Sequence, residues 1–169
     1  MKTKNITFTA ILAALVFVAT AYLFHIPVGN GYIHIGDAFV FLAGCLLPKP
    51  YAILASIIGA TLADGLTGYA IWIVPTAIIK GLTTAVFTSK SEKIICKTNI
   101  FGLFLSLVIG SVGYYIAGAI IFGDTIISLA SFFSSFLQTG ASAVVFVFIG
   151  KALDKIDIKS MYFKEKNFE

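Results

Sequence analysis

The sequence predicts an all-α integral membrane protein, a six-helix bundle with its N- and C-termini cytoplasmic. Three observations lead there. Of 169 residues, 59% are hydrophobic and 12% charged, where a soluble domain carries about 25% charged residues. The mean hydropathy is +0.98, and the apolar residues fall into six segments parted by short polar breaks, against the roughly 20 apolar residues of a spanning helix. All twelve positive charges are lysines, and eleven of them occupy alternate breaks.

The first segment runs from Ile6 to Phe24. It lacks an obvious small-residue cleavage site and further spans follow, so it reads as a retained helix and not a signal peptide. The break His25–Gly36 holds the turn formers Pro27, Gly29, Asn30 and Gly31. The second span is drawn from Tyr32 to Leu47. Its strongly apolar part, Asp37–Leu47, has only eleven residues, about 16 Å of helix against a hydrocarbon core of about 30 Å. Either the helix begins near Tyr32 or irregular backbone lies at membrane depth, which needs protein or a water-filled cavity beside it. In both cases the 25–36 break is expected to fold over the outer end of the bundle.

The third span, Tyr51–Leu66, follows Pro48-Lys49-Pro50. The fourth, Ala70–Phe87, contains Pro75, which is expected to break its hydrogen-bond ladder and kink it. After the polar loop Thr88–Asn99 come the fifth span, Ile100–Phe122, and the tight turn Gly123-Asp124. The sixth span, Thr125–Gly150, leads into a charged tail, 151–169, so that 1–169 forms one membrane domain.

Lysines set the orientation. Lys2 and Lys4 precede the first span, Lys49 parts the second from the third, and Lys90, Lys93 and Lys97 part the fourth from the fifth. Lys151, Lys155, Lys159, Lys164 and Lys166 follow the sixth, and the other three breaks carry no lysine. Cytoplasmic termini then satisfy the positive-inside rule at every break. The net charge of +4 and pI of 9.1 reflect these scattered orientation signals and do not imply a nucleic-acid partner.

Three ionisable residues fall within or at the outer edge of the spans: Asp37, Asp64 and Lys80. Intramembrane charge is costly and ordinarily faces a partner or a cavity. Helix rise and side-chain direction bring the three together in the outer half of the bundle. They could hold a polar ligand or merely one another, fixing helix register. Asn30, Tyr32, His34, Tyr69, Trp72, Tyr114 and Tyr115 crowd the same level. Aromatic faces suit flat heterocycles, although for Tyr69 and Trp72 an interfacial aromatic belt is the simpler account. Gln138 reads as a bond to a neighbouring helix. Small residues recur at Ala55, Gly59 and Ala63, where close helix packing explains them, and at Ala10 and Ala14, where packing and a partner surface both remain open.

Cys45 and Cys96 belong to no CxxC pair, so they indicate neither a disulfide framework nor a thiolate metal site. No GxxxxGK[ST] loop, HExxH or GxSxG occurs, which leaves no catalytic residues or metal ligands to nominate.

The chain resembles the substrate-binding S components of energy-coupling factor (ECF) transporters, in the riboflavin- and hydroxymethylpyrimidine-type group. The likeness spans about Lys4 to Lys155. It is carried by Thr9-Ala10-Ile11-Leu12-Ala13-Ala14, Gly31-Tyr32-Ile33-His34-Ile35-Gly36-Asp37-Ala38, Gly59-Ala60-Thr61-Leu62-Ala63-Asp64 and Pro75-Thr76-Ala77-Ile78-Ile79-Lys80-Gly81. The resemblance implies a subunit of the prokaryotic cell membrane that binds a vitamin or vitamin precursor among Asn30, Tyr32, His34, Asp37, Asp64, Trp72, Lys80 and Tyr114. It implies a transmembrane T component and two cytoplasmic ATPase subunits as partners. Ala10 and Ala14 would match the family's docking stripe and the 25–36 break its gating lid. No cofactor is expected on this chain, since ATP would be hydrolysed by the partners. The competing reading is a self-sufficient proton-coupled carrier using Asp64 and Lys80; such carriers often show internal repeats, and none is evident here.

Overall fold

The shortest of the main helices is the most completely enclosed, and the other helices are arranged around it. In a computed structural model, residues 2–28 and 31–162 are described. Helix α1 is Lys2–Ala21, α2 Asp37–Leu46, α3 Lys49–Leu66, α4 Ile73–Ala85, α5 Lys97–Phe122, α6 Thr125–Lys155 and α7 Ile158–Tyr162. Between α1 and α2 the strands β1, Ile26–Val28, and β2, Gly31–Ile33, form an antiparallel hairpin pairing Ile26 with Ile33 and Pro27 with Tyr32. Helix α2 packs against α1, α3, α4 and α6, and all of its residues but Phe39 are buried. Ten residues make only about 15 Å of helix. That length is tolerable because protein surrounds it on every side.

Packing around α2 depends on small residues. On α3, Ala55, Gly59, Ala60 and Ala63 are buried. A Cβ on Gly59 would lie 2.5 Å from the Ala13 carbonyl oxygen and 2.7 Å from Val16 Cβ, so α1 and α3 approach to backbone contact there. On α5 the buried residues are Asn99, Gly102, Ser106, Gly110, Ser111 and Gly118, while Phe101, Phe104, Val108 and Ile116 are exposed. Helix α6 likewise buries Ser128, Ser135, Gln138 and Ser142 and exposes Phe133, Leu137, Val144 and Phe148. Apolar outside and small or polar inside is the pattern of a bundle solvated by lipid. Thr3–Ala21, α5 and α6 are long and apolar enough to cross a membrane by themselves.

The breaks sort into two ends. Lysine-bearing segments gather at one: a cleft is lined jointly by Leu47, Lys49, Thr88 and Lys90, and Lys159 donates to the Ser91 carbonyl at 2.7 Å. There Asp154 accepts from the backbone N–H groups of Ile94 and Ile95 at 2.7 and 2.9 Å. Asn99 joins the same loop, donating to the Ile94 carbonyl at 2.9 Å and accepting from Thr88 N–H. Lysine-free breaks gather at the opposite end, where Tyr32 meets Tyr69 and Trp72 meets Phe122. Gly123, at φ +66°, ends α5, and Asp124 caps α6 by accepting from Ile126 and Ile127 N–H.

Three boundary expectations change. The second helix does not begin at Tyr32, which lies in β2; Asp37 is its first residue. Pro75 does not kink the fourth helix. A 3-10 turn, Ala70–Trp72, precedes α4, so Pro75 is its third residue, where no intrahelical donor is missed. The tail begins helical: α6 continues to Lys155 and α7 folds back onto the loop between α4 and α5 through Lys159.

Candidate functional site

Beneath the hairpin a buried ion pair is completed by an amide. Lys80 Nζ lies 2.6 Å from Asp37 Oδ1, with the two residues 3% and 2% exposed. Asp37 Oδ2 accepts from the Gln138 amide at 2.9 Å. Local structure brings them together: Asp37 opens α2, Lys80 extends from the middle of α4, and Gln138 comes from α6, with α2 touching both other helices. A buried pair is tolerable only when its remaining hydrogen-bonding capacity is met; here both carboxylate oxygens have a donor. The ammonium also lies 5.3 Å from the Tyr114 ring centroid, within cation–π range.

The second carboxylate is held differently. Asp64, in the last turn of α3, accepts from the Tyr32 hydroxyl at 2.5 Å. The Tyr32 ring stacks on His25 at 4.1 Å between centroids and leans on Tyr69 at 4.5 Å. The hairpin is thus fastened to α3 by a charge-assisted bond and an aromatic stack. His34 is buried and accepts the Gly36 N–H at 2.9 Å, fixing the turn into α2. Gly36 is required there, because a Cβ would collide with Thr20 Oγ1.

These groups enclose a cavity. Its wall includes Thr20, Tyr32, His34, Asp64, Trp72, Thr76, Lys80, Tyr114, Ser135 and Gln138, and its free volume is about 50 Å³. One water needs roughly 10–15 Å³ on this measure, so the cavity as it stands fits a few waters and no flat ring. Trp72 meets Tyr114 edge-on at 5.7 Å, and the Tyr114 hydroxyl is 3.1 Å from Thr76 Oγ1. Among the described residues, four buried side-chain atoms lack a hydrogen-bond partner: Thr20 Oγ1, Asp64 Oδ2, Ser111 Oγ and Ser135 Oγ. Three of the four belong to this wall. Buried polar groups are ordinarily paired, so their concentration here makes this cavity the candidate site.

Six of the eight residues nominated from sequence line it: Tyr32, His34, Asp64, Trp72, Lys80 and Tyr114. Asp37 does not; it stands behind Lys80 and Gln138 with both oxygens occupied. The anticipated three-charge cluster therefore divides into a closed Lys80–Asp37–Gln138 group and a Tyr32–Asp64 pair. Asn30 lies outside the described residues. Trp72 is no belt residue, because the 3-10 turn carries it into the interior, where it is buried. Ala10 and Ala14 are exposed on α1, while Ala13 and Val16 on the same helix are buried.

Sequence reasoning missed Thr20, Thr76, Ser131, Ser134 and Ser135, and placed Gln138 on a helix contact without placing it in the wall. Hydroxyls are hard to weigh because in helices they often satisfy themselves on the carbonyl four residues earlier, as Ser56, Thr61, Thr84 and Ser106 do. The usable signal was the spacing of Ser128, Ser131, Ser135, Gln138 and Ser142 along one face of α6.

Known proteins share this architecture. The sequence matches the family described as ECF-type riboflavin transporter, S component, over residues 1–155. Comparison with curated proteins finds no match. Among solved structures, a chain reported under "Structure and mechanism of the S component of a bacterial ECF transporter" superposes with a TM-score of 0.74 at 17% identity. The superposition covers 92% of this chain and 98% of that one, and at such identity the likeness is one of fold.

Proposed function

The chain belongs to the family of ECF-type riboflavin transporter S components, and we propose that it captures a vitamin or vitamin precursor outside a prokaryotic cell for uptake across the plasma membrane. The ligand proposed is a flat heterocycle of the riboflavin, hydroxymethylpyrimidine (thiamine-related) or pyridoxine kind. Uptake would be driven by ATP hydrolysed in two cytoplasmic ATPase subunits that assemble with a transmembrane T component. Six membrane-inserted segments and cytoplasmic termini belong to this reading, and the gathering of lysine-bearing breaks at one end of the bundle supports them.

The observation that carries the proposal is the cavity under the hairpin, with three unpartnered buried oxygens in its wall. A ring entering it would meet Trp72 and Tyr114, whose faces suit stacking. Lys80 would offer its remaining protons to a carbonyl, while Thr20, Asp64 and Ser135 would take up the polar edge. The cavity must widen to admit a ring, and opening the Tyr32–Asp64 bond would do so, with the hairpin serving as lid. Ala10 and Ala14, outward on α1, would be the surface offered to the T component.

The test is to purify the chain in detergent, identify co-purifying small molecules by mass spectrometry, and titrate candidates against the fluorescence of the chain's one tryptophan. Tight binding by the isolated chain, with uptake only when the T component and ATPases are co-reconstituted, is the expected result. Uptake by the chain alone that survives ATP depletion and collapses with the proton gradient would instead establish the proton-coupled carrier, which family membership does not favour.

A further inference from the structure

The charges around the cavity are unevenly satisfied, and the imbalance points to the chemistry of what fills it. Lys80 is matched by Asp37, and Gln138 takes the second oxygen of that carboxylate. The positive charge in the wall is therefore already balanced. Asp64 is 4% exposed; Tyr32 donates to its Oδ1 and the Thr76 hydroxyl is close enough to interact with the carboxylate, yet among the described residues a completed hydrogen bond is found on Oδ1 alone. Its Oδ2 has none, although Asp64 forms part of the cavity wall. A buried carboxylate left half-satisfied is costly, and a charge-assisted hydrogen bond from a bound molecule would relieve it.

Resting on the capture reading above, we infer that the ligand is a neutral or cationic ring that donates an N–H, from an imide, an exocyclic amine or a protonated nitrogen, to Asp64 Oδ2. Ligands bearing a carboxylate or phosphate are disfavoured, because they would set a further anion beside Asp64, and the one lysine among the described wall residues, Lys80, is already paired with Asp37. Thr20 Oγ1 and Ser135 Oγ, also unpartnered, can either donate or accept. They orient the ring without deciding its charge, so the sign of the preference resides in Asp64.

The experiment uses the full chain in lipid nanodiscs, with tryptophan fluorescence and calorimetry. The probes are riboflavin, its N3-methyl derivative, riboflavin 5′-phosphate, 4-amino-5-hydroxymethyl-2-methylpyrimidine, pyridoxine and pyridoxal 5′-phosphate. At least one unphosphorylated donor probe is expected to bind, and its phosphorylated partner, where included, about 100-fold or more weakly. Asp64→Asn keeps the side-chain volume and an acceptor for Tyr32 but places an NH2 where Oδ2 was. It is expected to weaken the donor probe about 10–100-fold, the range for a hydrogen bond to a charged group. If riboflavin binds, methylation at N3 should cost wild type a similar factor and the variant little, which tests the contact even if the variant folds poorly. Equal affinity in Asp64→Asn would show that the ligand donates no N–H to Oδ2 and would overturn the inference alone, as would preference for a phosphorylated probe. Failure of every probe to bind wild type would overturn both the capture reading and the inference.

Discussion

The Tyr32 hydroxyl donates to Asp64 Oδ1 at 2.5 Å, and that bond ties the β-hairpin to the last turn of α3. The hairpin is also held by aromatic contacts of Tyr32 with His25 and Tyr69 and by packing of β2 against α6. A hairpin held this way can be loosened by removing one oxygen.

Tyr32→Phe keeps the ring stack and deletes the bond. A hydrogen bond to a charged group contributes about 1.5–3 kcal/mol, which corresponds to roughly 10–100-fold in a rate or equilibrium. The variant should release bound ligand faster by that factor in stopped-flow fluorescence, with a lowered Tm as Asp64 loses its donor. An unchanged off-rate would mean the latch lies elsewhere.

Lys80→Met leaves Asp37 buried without its cation. Breaking a buried pair by removing one partner costs about 3–5 kcal/mol, whereas replacing both partners by apolar groups is often close to neutral. Lys80→Met should therefore lower stability sharply in detergent unfolding, and Lys80→Met with Asp37→Leu should recover most of the loss. A double variant no more stable than the single one would contradict the pairing.

Two faces of α1 should respond oppositely. Gly59→Val, driven into the Ala13 carbonyl and Val16, should cost at least the ~1–3 kcal/mol typical of overpacking and reduce folded yield. Ala10→Leu with Ala14→Leu, on the exposed face, should leave Tm and ligand binding intact and abolish uptake with the T component. Unimpaired uptake in that double variant would remove the docking assignment.

Asp154→Ala should free the loop between α4 and α5 without touching the cavity. It strips acceptors from the Ile94 and Ile95 N–H groups, and a buried donor left unsatisfied costs about 1–3 kcal/mol. Hydrogen exchange at these amides should accelerate about tenfold or more while ligand affinity is unchanged. Retained protection would show that Asn99 and Lys159 hold the loop unaided.

The helical, membrane-type architecture was legible in the chain, because apolar length is a one-dimensional property. Asp64 and Lys80 could be placed near one cavity from depth alone. Which carboxylate the lysine takes was not legible: helical rise gives a height along the bundle and no azimuth, and Asp37 reaches Lys80 because α2 is central. The hairpin escaped because three-residue strands are too short to show a period of two. Trp72 was misjudged because its direction depends on a 3-10 turn that periodicity does not foresee.

The separation of Asp37 from its partners along the chain has a consequence for biogenesis. Lys80 is 43 residues downstream of Asp37 and Gln138 is 101. At about 5–20 residues per second, the ribosome delivers the cation roughly 2–9 s after the anion, and the amide later still. Asp37 cannot have both oxygens satisfied until Gln138, partway along α6, has been made, so this three-residue group closes late in synthesis.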